Sequence, residues 1–433
     1  MSKINRIIFS IAFAMLPFFF ANGQDGAYGS YSPYSVFGIG DISKLNSAYN
    51  AGMGGVGIAG RDHRYINIMN PASITARDTL SFMMDFSIYS QNKIYKQSGI
   101  KSANNSLNIA DIAFTVPVYK KSAMIFGIAP FSDVGYDFSY NKADPEYTVL
   151  RYSSSGNGGV YQIFGGGAAT FWKNLTIGAQ AIYYFGNIDK KTSMDFLGSS
   201  FRDLSSGYIL QLGGIAGKFG IQYEIPVKDM YLTLGATYRT GSRLHGYVKE
   251  YKFATLSNIT DTLSYHVDTL ANSRNALIAG EAGIGISLHK PEKWNVEINY
   301  IFSNWGRSGF DTTPGFSNEG AAKFSTTFSQ SVRAGFEYIP NRNDIRYYLR
   351  RSAYRMGAYY DKSYFKLDGN TINSFGLTFG VTLPVFRLYN GLTLGVDLGQ
   401  RGSVSGNMTR ERYMSFSVGF NIHDIWFRKQ RYE

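Results

Sequence analysis

Eight charged residues sit where this chain tolerates charge least: Asp85, Asp111, Glu281, Glu297, Arg333, Glu337, Arg355 and Asp397. Each falls within a run of alternating residues, on the parity opposite the apolar side chains. In such a run side chains point alternately to the two faces of a strand. On a face turned to lipid, each charge would cost up to a few kcal/mol at mid-depth. They are therefore expected to face an interior, paired with one another or hydrogen-bonded to backbone packed there. A sharper reading lets some of them line a route or hold a ligand's carboxylate. By charge, Arg333 and Arg355 are the candidates.

Other chemistry is poorly supplied. The five histidines, His63, His245, His266, His289 and His423, show no ligand spacing, and H-E-x-x-H is absent, so no metal is expected. Cysteine is absent as well, which removes disulfides, thiolate sites and a cysteine-linked lipid anchor. No G-x-S-x-G elbow occurs. A Ser/His/acid site assembled across strands would leave no local trace, but nothing points to one, and the expectation is no enzyme. Gly52-Met53-Gly54-Gly55-Val56-Gly57 has G-x-G-x-x-G spacing, with Asp78 about 20 residues on. That motif needs a preceding buried strand and a following helix, and Asn46 to Ala51 is no such strand. The glycines Gly52, Gly54, Gly55 and Gly57 read better as close backbone packing. No cofactor is expected.

The elements that position these residues are strands. Phe375, Leu377, Phe379, Val381, Leu383 and Val385 share one parity, with Gly376, Thr378, Gly380 and Thr382 on the other. Trp294, Val296, Ile298, Tyr300 and Phe302 alternate likewise, as do Val332, Ala334, Phe336 and Tyr338. About fourteen such segments fall near 79–89, 106–118, 121–132, 158–172, 174–189, 206–224, 230–250, 275–289, 293–305, 326–339, 350–362, 371–385, 391–402 and 410–422. Each approaches or exceeds the ~10 residues a tilted strand needs to cross a bilayer. Short joins at Tyr119-Lys120, Lys173-Asn174, Pro226 to Asp229 and Pro291-Glu292 alternate with long polar stretches at 133–157, 251–274 and 306–325. Short turns on one side and long loops on the other are the pattern of an outer-membrane barrel. An even count closes it with both ends on one side. A soluble sandwich has shorter strands and buries its apolar face in a second sheet.

Composition agrees. Of 433 residues, 17% are charged and 16% aromatic, with 33 Tyr, 32 Phe and 48 Gly. That is low charge for a soluble domain. After residue 23 no apolar run is long enough for a transmembrane helix. Lys3 and Arg6, the apolar stretch Ile7 to Phe20 and the small residues Ala21-Asn22-Gly23 predict a signal peptide over 1–23. The net charge of +12 would otherwise suggest nucleic acid, but export and the scatter of Lys and Arg exclude that partner. An acidic lipid or lipopolysaccharide surface fits better.

The domain reading is thus 1–23 signal peptide, 24–78 an N-terminal hatch and 79–433 the barrel. Residues 24–78 do not alternate and would be exposed unless packed in the lumen. They carry the glycine run and then Ile66-Asn67-Ile68-Met69-Asn70-Pro71-Ala72-Ser73. This resembles the hatch of the FadL/TodX outer-membrane transporters, whose signature matches Asn70, Pro71 and Ala72. The resemblance implies a 14-stranded antiparallel barrel in the outer membrane of a Gram-negative bacterium. It also implies passive uptake of hydrophobic or amphipathic compounds, such as long-chain fatty acids, released sideways where the third strand is kinked. Here that strand holds Pro130, which lacks a ladder donor, with Gly127 and Gly135 nearby. A proline at the extracellular rim would carry no such meaning, and Pro117 in the strand before is open to the same two readings. The implied partners are a hydrophobic small molecule and outer-membrane lipid. Some barrels that resemble this family instead hold exported proteins at the surface, and the long loops suit that role too. Tyr31, Tyr34 and Phe37 suit either a ligand's alkyl chain or a wedge for the plug. The last strand is expected to end near Ile422, with His423 to Glu433 continuing beyond it.

Overall fold

The computed structural model describes residues 31–425, apart from 45, 78–80, 145–147, 173, 199, 257–258, 271–275, 318–321, 386–389 and 407. The expected signal peptide, Asp78 and the tail after Ile425 lie outside the described residues.

Fourteen long strands form a closed antiparallel barrel. They are β1 (Ser81–Gln97), β2 (Ile100–Tyr119), β3 (Ser122–Asp144), β4 (Thr148–Phe171), β5 (Leu175–Leu197), β6 (Asp203–Val227) and β7 (Met230–Arg239). Then come β8 (Glu281–Lys290), β9 (Trp294–Asn304), β10 (Phe328–Tyr338), β11 (Ala353–Leu367), β12 (Asn370–Pro384), β13 (Gly391–Arg401) and β14 (Arg410–Ile425). Each pairs with its neighbours in sequence. β14 closes on β1 from Ser81↔Ile425 to Lys96↔Arg410. Every expected segment has its strand. The alternation holds too: Ile284, Ile298, Leu377 and Phe379 are exposed on the outside, forming an apolar belt, whereas the polar parity points inward.

Two expected loops are corrected. In 133–157 the strands continue, β3 to Asp144 and β4 from Thr148, with Tyr140 opposite Tyr152. In 251–274 the chain forms a hairpin of His245–Leu256 and Ile259–Thr269. The expected strand 230–250 divides at Arg239: its first part is β7, paired with β6 and β8, while His245–Leu256 pairs with the far half of β6. Both misreadings share a cause. Above the bilayer neither face meets lipid, so apolar alternation fades while backbone pairing persists. The 306–325 stretch is largely irregular, as expected.

Residues 31–77 run through the interior. A 3-10 turn (Pro33–Val36), a two-residue strand (Asp41–Ile42), a one-turn helix (Ala48–Ala51) and a 3-10 helix (Pro71–Ala76) are joined by irregular chain. Most of this segment is buried. Its backbone polar groups find partners in the wall, which is how irregular chain can sit at membrane depth.

Candidate functional site

The plug touches the wall through paired glycines. Asn70 caps the helix Pro71–Ala76, its Oδ1 accepting from Ala72 N at 2.9 Å and its Nδ2 donating to Ile58 O at 2.7 Å. Opposite stand Gly178 of β5 and Gly220 of β6, direct cross-strand partners. A Cβ on Gly178 would meet the Pro71 carbonyl carbon at 2.6 Å, and one on Gly220 would strike Asn70 Oδ1. The arrangement recurs. Gly235 and Gly285 face Ile58, Gly335 and Gly357 face Met53 and Gly54, and Gly380 and Gly395 face Gly52. Four windows without side chains thus let plug backbone lie directly on wall backbone. On the plug side, Gly54 and Gly55 hold φ of +72° and +73°, a left-handed pair that favours glycine. Gly54 N donates to Thr378 Oγ1 at 2.7 Å.

Charge completes the fit. Arg355 is fully enclosed beneath the plug. Its Nε donates to Glu337 Oε2 at 2.7 Å, its Nη1 to Thr382 Oγ1 at 2.6 Å, and its guanidinium lies 4.2 Å over the Tyr49 ring. Tyr49 stacks on Tyr65 at 4.3 Å. Arg64 of the plug joins Glu337 and Asp62. Burial opposes ionisation of Asp62, but the Arg64 guanidinium outweighs it and holds that carboxyl well below the usual range. Glu297 accepts from Ala59 N at 2.9 Å. Two arginines and two carboxylates thereby neutralise each other in a largely buried site, where an unmatched charge would be costly.

Above this layer lies a cavity of about 400 Å³. Arg333 lines it, donating from Nη1 to Gly55 O at 3.1 Å and standing 3.7 Å from Asp361. Lys44 bridges to Asp361 at 3.3 Å and lies 3.2 Å over the Tyr359 ring. Arg401 pairs with Asp41 at 2.7 Å. Glu281 and Asp397 also reach the cavity. On the side of the long upper strands it is capped by an aromatic cluster. Phe310 and Phe316 are 0% exposed and stack at 4.9 Å; Trp305, Tyr364 and Phe365 pack around them. Phe37 of the plug stacks on Phe324 at 5.3 Å, and Tyr34 donates to Thr409 O at 2.5 Å. Both aromatics act as wedges here. The Tyr31 hydroxyl donates to Asp137 O at 2.5 Å.

The wall parts beside this cavity. β2 and β3 pair only from Tyr119↔Ser122 up to Ile112↔Ile128. There each strand carries one extra residue against its other neighbour: Ala110 in β2 and Phe131, next to Pro130, in β3. A bulge bends its strand and ends regular pairing, and two facing bulges steer these strands apart. Ala110, Pro130 and Phe131 line the cavity. Beyond the fork the edge of β3 pairs with the plug instead, Asp41 opposite Asp133 and Ile42 opposite Ser132. Gly135 donates to Ser35 Oγ at 3.1 Å and accepts from Ser32 N at 2.8 Å.

The structure therefore brings Arg333, Pro130 and Phe131 to one cavity. It places Arg355 below it, among plug contacts, and Asn70-Pro71-Ala72 on the wall of β5 and β6. Sequence reasoning missed the wall glycines, although their inward parity was visible, and missed Ala110 and Phe131, whose bulges leave no local signature.

A closed barrel of fourteen strands with an N-terminal segment inside it is similar in fold to solved hydrophobic-compound transporters. The Pseudomonas putida toluene transporter TodX is 14% identical with a TM-score of 0.59, covering 90% of this chain and 100% of its own. The Ralstonia pickettii toluene transporter TbuX is 14% identical with a TM-score of 0.57, covering 87% and 97%. A Pseudomonas aeruginosa FadL homologue is 10% identical with a TM-score of 0.55, covering 89% and 99%. At such identity the likeness concerns the fold. By sequence the chain belongs to the BamG family, whose model matches residues 3–433. No curated protein matches it in sequence.

Proposed function

We propose that the chain is an outer-membrane transport protein through which a hydrophobic or amphipathic molecule passes passively, leaving sideways into the bilayer. The observation that carries this reading is the meeting of cavity and parted wall at Ala110, Pro130 and Phe131. The structural neighbours named as toluene transporters support it. The lining of Lys44, Arg333 and Arg401 beside Asp361 and Asp397 suits an amphiphile's head better than a bare hydrocarbon, with Arg333 as the carboxylate contact. Apolar transfer would drive entry, at about 0.8 kcal/mol per buried CH₂. Native mass spectrometry of the gently extracted protein tests the reading. A fatty-acid-sized adduct, lost in Arg333→Ala, is expected. A ligand-free barrel carrying other polypeptides would overturn it.

The second reading is a surface docking barrel for exported proteins. It is favoured by the buried aromatic cap, which closes the mouth, and by strand pairs that stand well above the apolar belt.

A further inference from the structure

On one side the barrel wall continues outward as a single sheet. The upper parts of β3, β4, β5 and β6 are followed by His245–Leu256 and then Ile259–Thr269. We propose that Ile259–Thr269 is a docking edge that takes an extended segment of a different polypeptide, outside the cell, as one more strand. The inference rests on the docking reading.

Among the described residues this strand pairs only with His245–Leu256. Its other edge offers a row of N–H and C=O groups, a template for backbone pairing. Both of its faces are open: Ile259 is 67% exposed, Leu263 60% and Tyr265 57%. These apolar side chains do not face hydrocarbon. The hairpin pairs with Asp203–Gly213 of β6, and the stretch from Gly213 down to the turn at Val227 already exceeds the ~9–11 residues needed to cross a bilayer.

Exposed edges are ordinarily guarded by lysine, proline, short length or a bulge. Ile-Thr-Asp-Thr-Leu-Ser-Tyr-His-Val-Asp-Thr contains no lysine, arginine or proline. A bulge does occur at Leu263, between the pairs Lys252↔Ser264 and Phe253↔Thr262. It leaves Ser264–Thr269 as a regular run whose one carboxylate is Asp268.

A second copy in the same membrane does not fit this edge. Antiparallel self-pairing needs a two-fold axis normal to the sheet. That normal is radial to the barrel, so the rotation would invert one barrel relative to the membrane. Symmetric parallel pairing brings the same outward-bonding residues level, whereas a parallel ladder staggers them. Symmetric self-pairing is thereby excluded, and the occupant we infer is another chain. Asp268, whose neighbour is His266 at 3.1 Å, disfavours an acidic residue opposite it and favours a basic one. Tyr265 and Val267 favour β-branched or aromatic residues.

The test places photoreactive benzoylphenylalanine in turn at Tyr265, Val267 and Thr269 of the full-length protein in its own cells. Adducts are read by peptide mass spectrometry. The expected result is one partner segment marked at three positions spaced by two. Cross-linking from Thr269 should also fall at least ten-fold in a Tyr265→Asp, Val267→Asp variant that retains its heat-resistant barrel. Adducts to a second copy or to lipopolysaccharide overturn the proposal. Polypeptide adducts without the two-residue spacing overturn strand addition but leave docking standing. Absence of any adduct removes both.

Discussion

Gly220 in the wall and Asn70 in the plug approach so closely that any side chain on Gly220 would collide with the Asn70 carboxamide. A Cβ there would also stand 2.8 Å from Pro71 Cδ. Gly220→Ala is therefore expected to lift the Asn70-Pro71-Ala72 corner off the wall, costing ~1–3 kcal/mol as overpacking does. Thermal unfolding in detergent should show the loss, and planar-bilayer conductance should rise as the plug loosens. Unchanged values in both would sink this account of the glycine windows.

Glu337 serves two arginines from opposite sides, Arg64 of the plug and Arg355 of β11. Glu337→Ala leaves Arg355 buried without a carboxylate partner, and removing one member of a buried pair costs ~3–5 kcal/mol. The double variant Glu337→Leu, Arg355→Met should recover part of that loss. Denaturation of the single and double variants decides the matter. Equal losses would mean that packing, not charge, holds this layer.

Asp62 predicts a pH dependence. Its carboxyl is held below the ordinary range by Arg64, against the opposing effect of burial. A lowered folded pKa contributes stability above the unfolded value of about 3.9, lost as pH falls through the folded pKa. The destabilisation caused by Asp62→Asn should thus be constant from pH 8 to about pH 5 and shrink only in stronger acid. A difference already declining between pH 7 and 5 would contradict the assignment.

Phe316 is the centre of the aromatic cap, stacked on Phe310 and tied by its carbonyl to Gly38 N at 2.9 Å. Phe316→Ala should cost about 3–5 kcal/mol locally, as aromatic truncation in a core does. Amides of the 305–317 stretch and of Gly38 should exchange faster with deuterium, while β8 and β9 stay protected. Faster exchange throughout the barrel would show that the cap is not a separate unit.

Arg333 faces the cavity, and a charge-assisted hydrogen bond contributes ~1.5–3 kcal/mol. If a carboxylate binds there, Arg333→Ala should weaken a long-chain fatty acid by about ten-fold or more, while an alkane of equal length is unaffected. Titration of both ligands into the detergent-solubilised protein separates headgroup recognition from simple partition into apolar space.

Much of this molecule is local in origin. Period-two alternation is written strand by strand, because lipid on one face and a polar interior on the other act on each residue independently. That is why all fourteen segments could be placed, and why the inward charges Glu297, Glu337 and Arg333 could be assigned a side. Where lipid ends the pressure ends too, and the strand residues within 133–157 and 251–269 were invisible although their backbones pair. Tertiary structure alone decided which charges meet which. Arg355 and Arg333 look equivalent in sequence, yet one lies in a buried pair under the plug and the other at a cavity. The same holds for the fork of β2 and β3. Ala110 and Phe131 become bulges only because each strand must satisfy two different partners, and no spacing within either strand records that conflict.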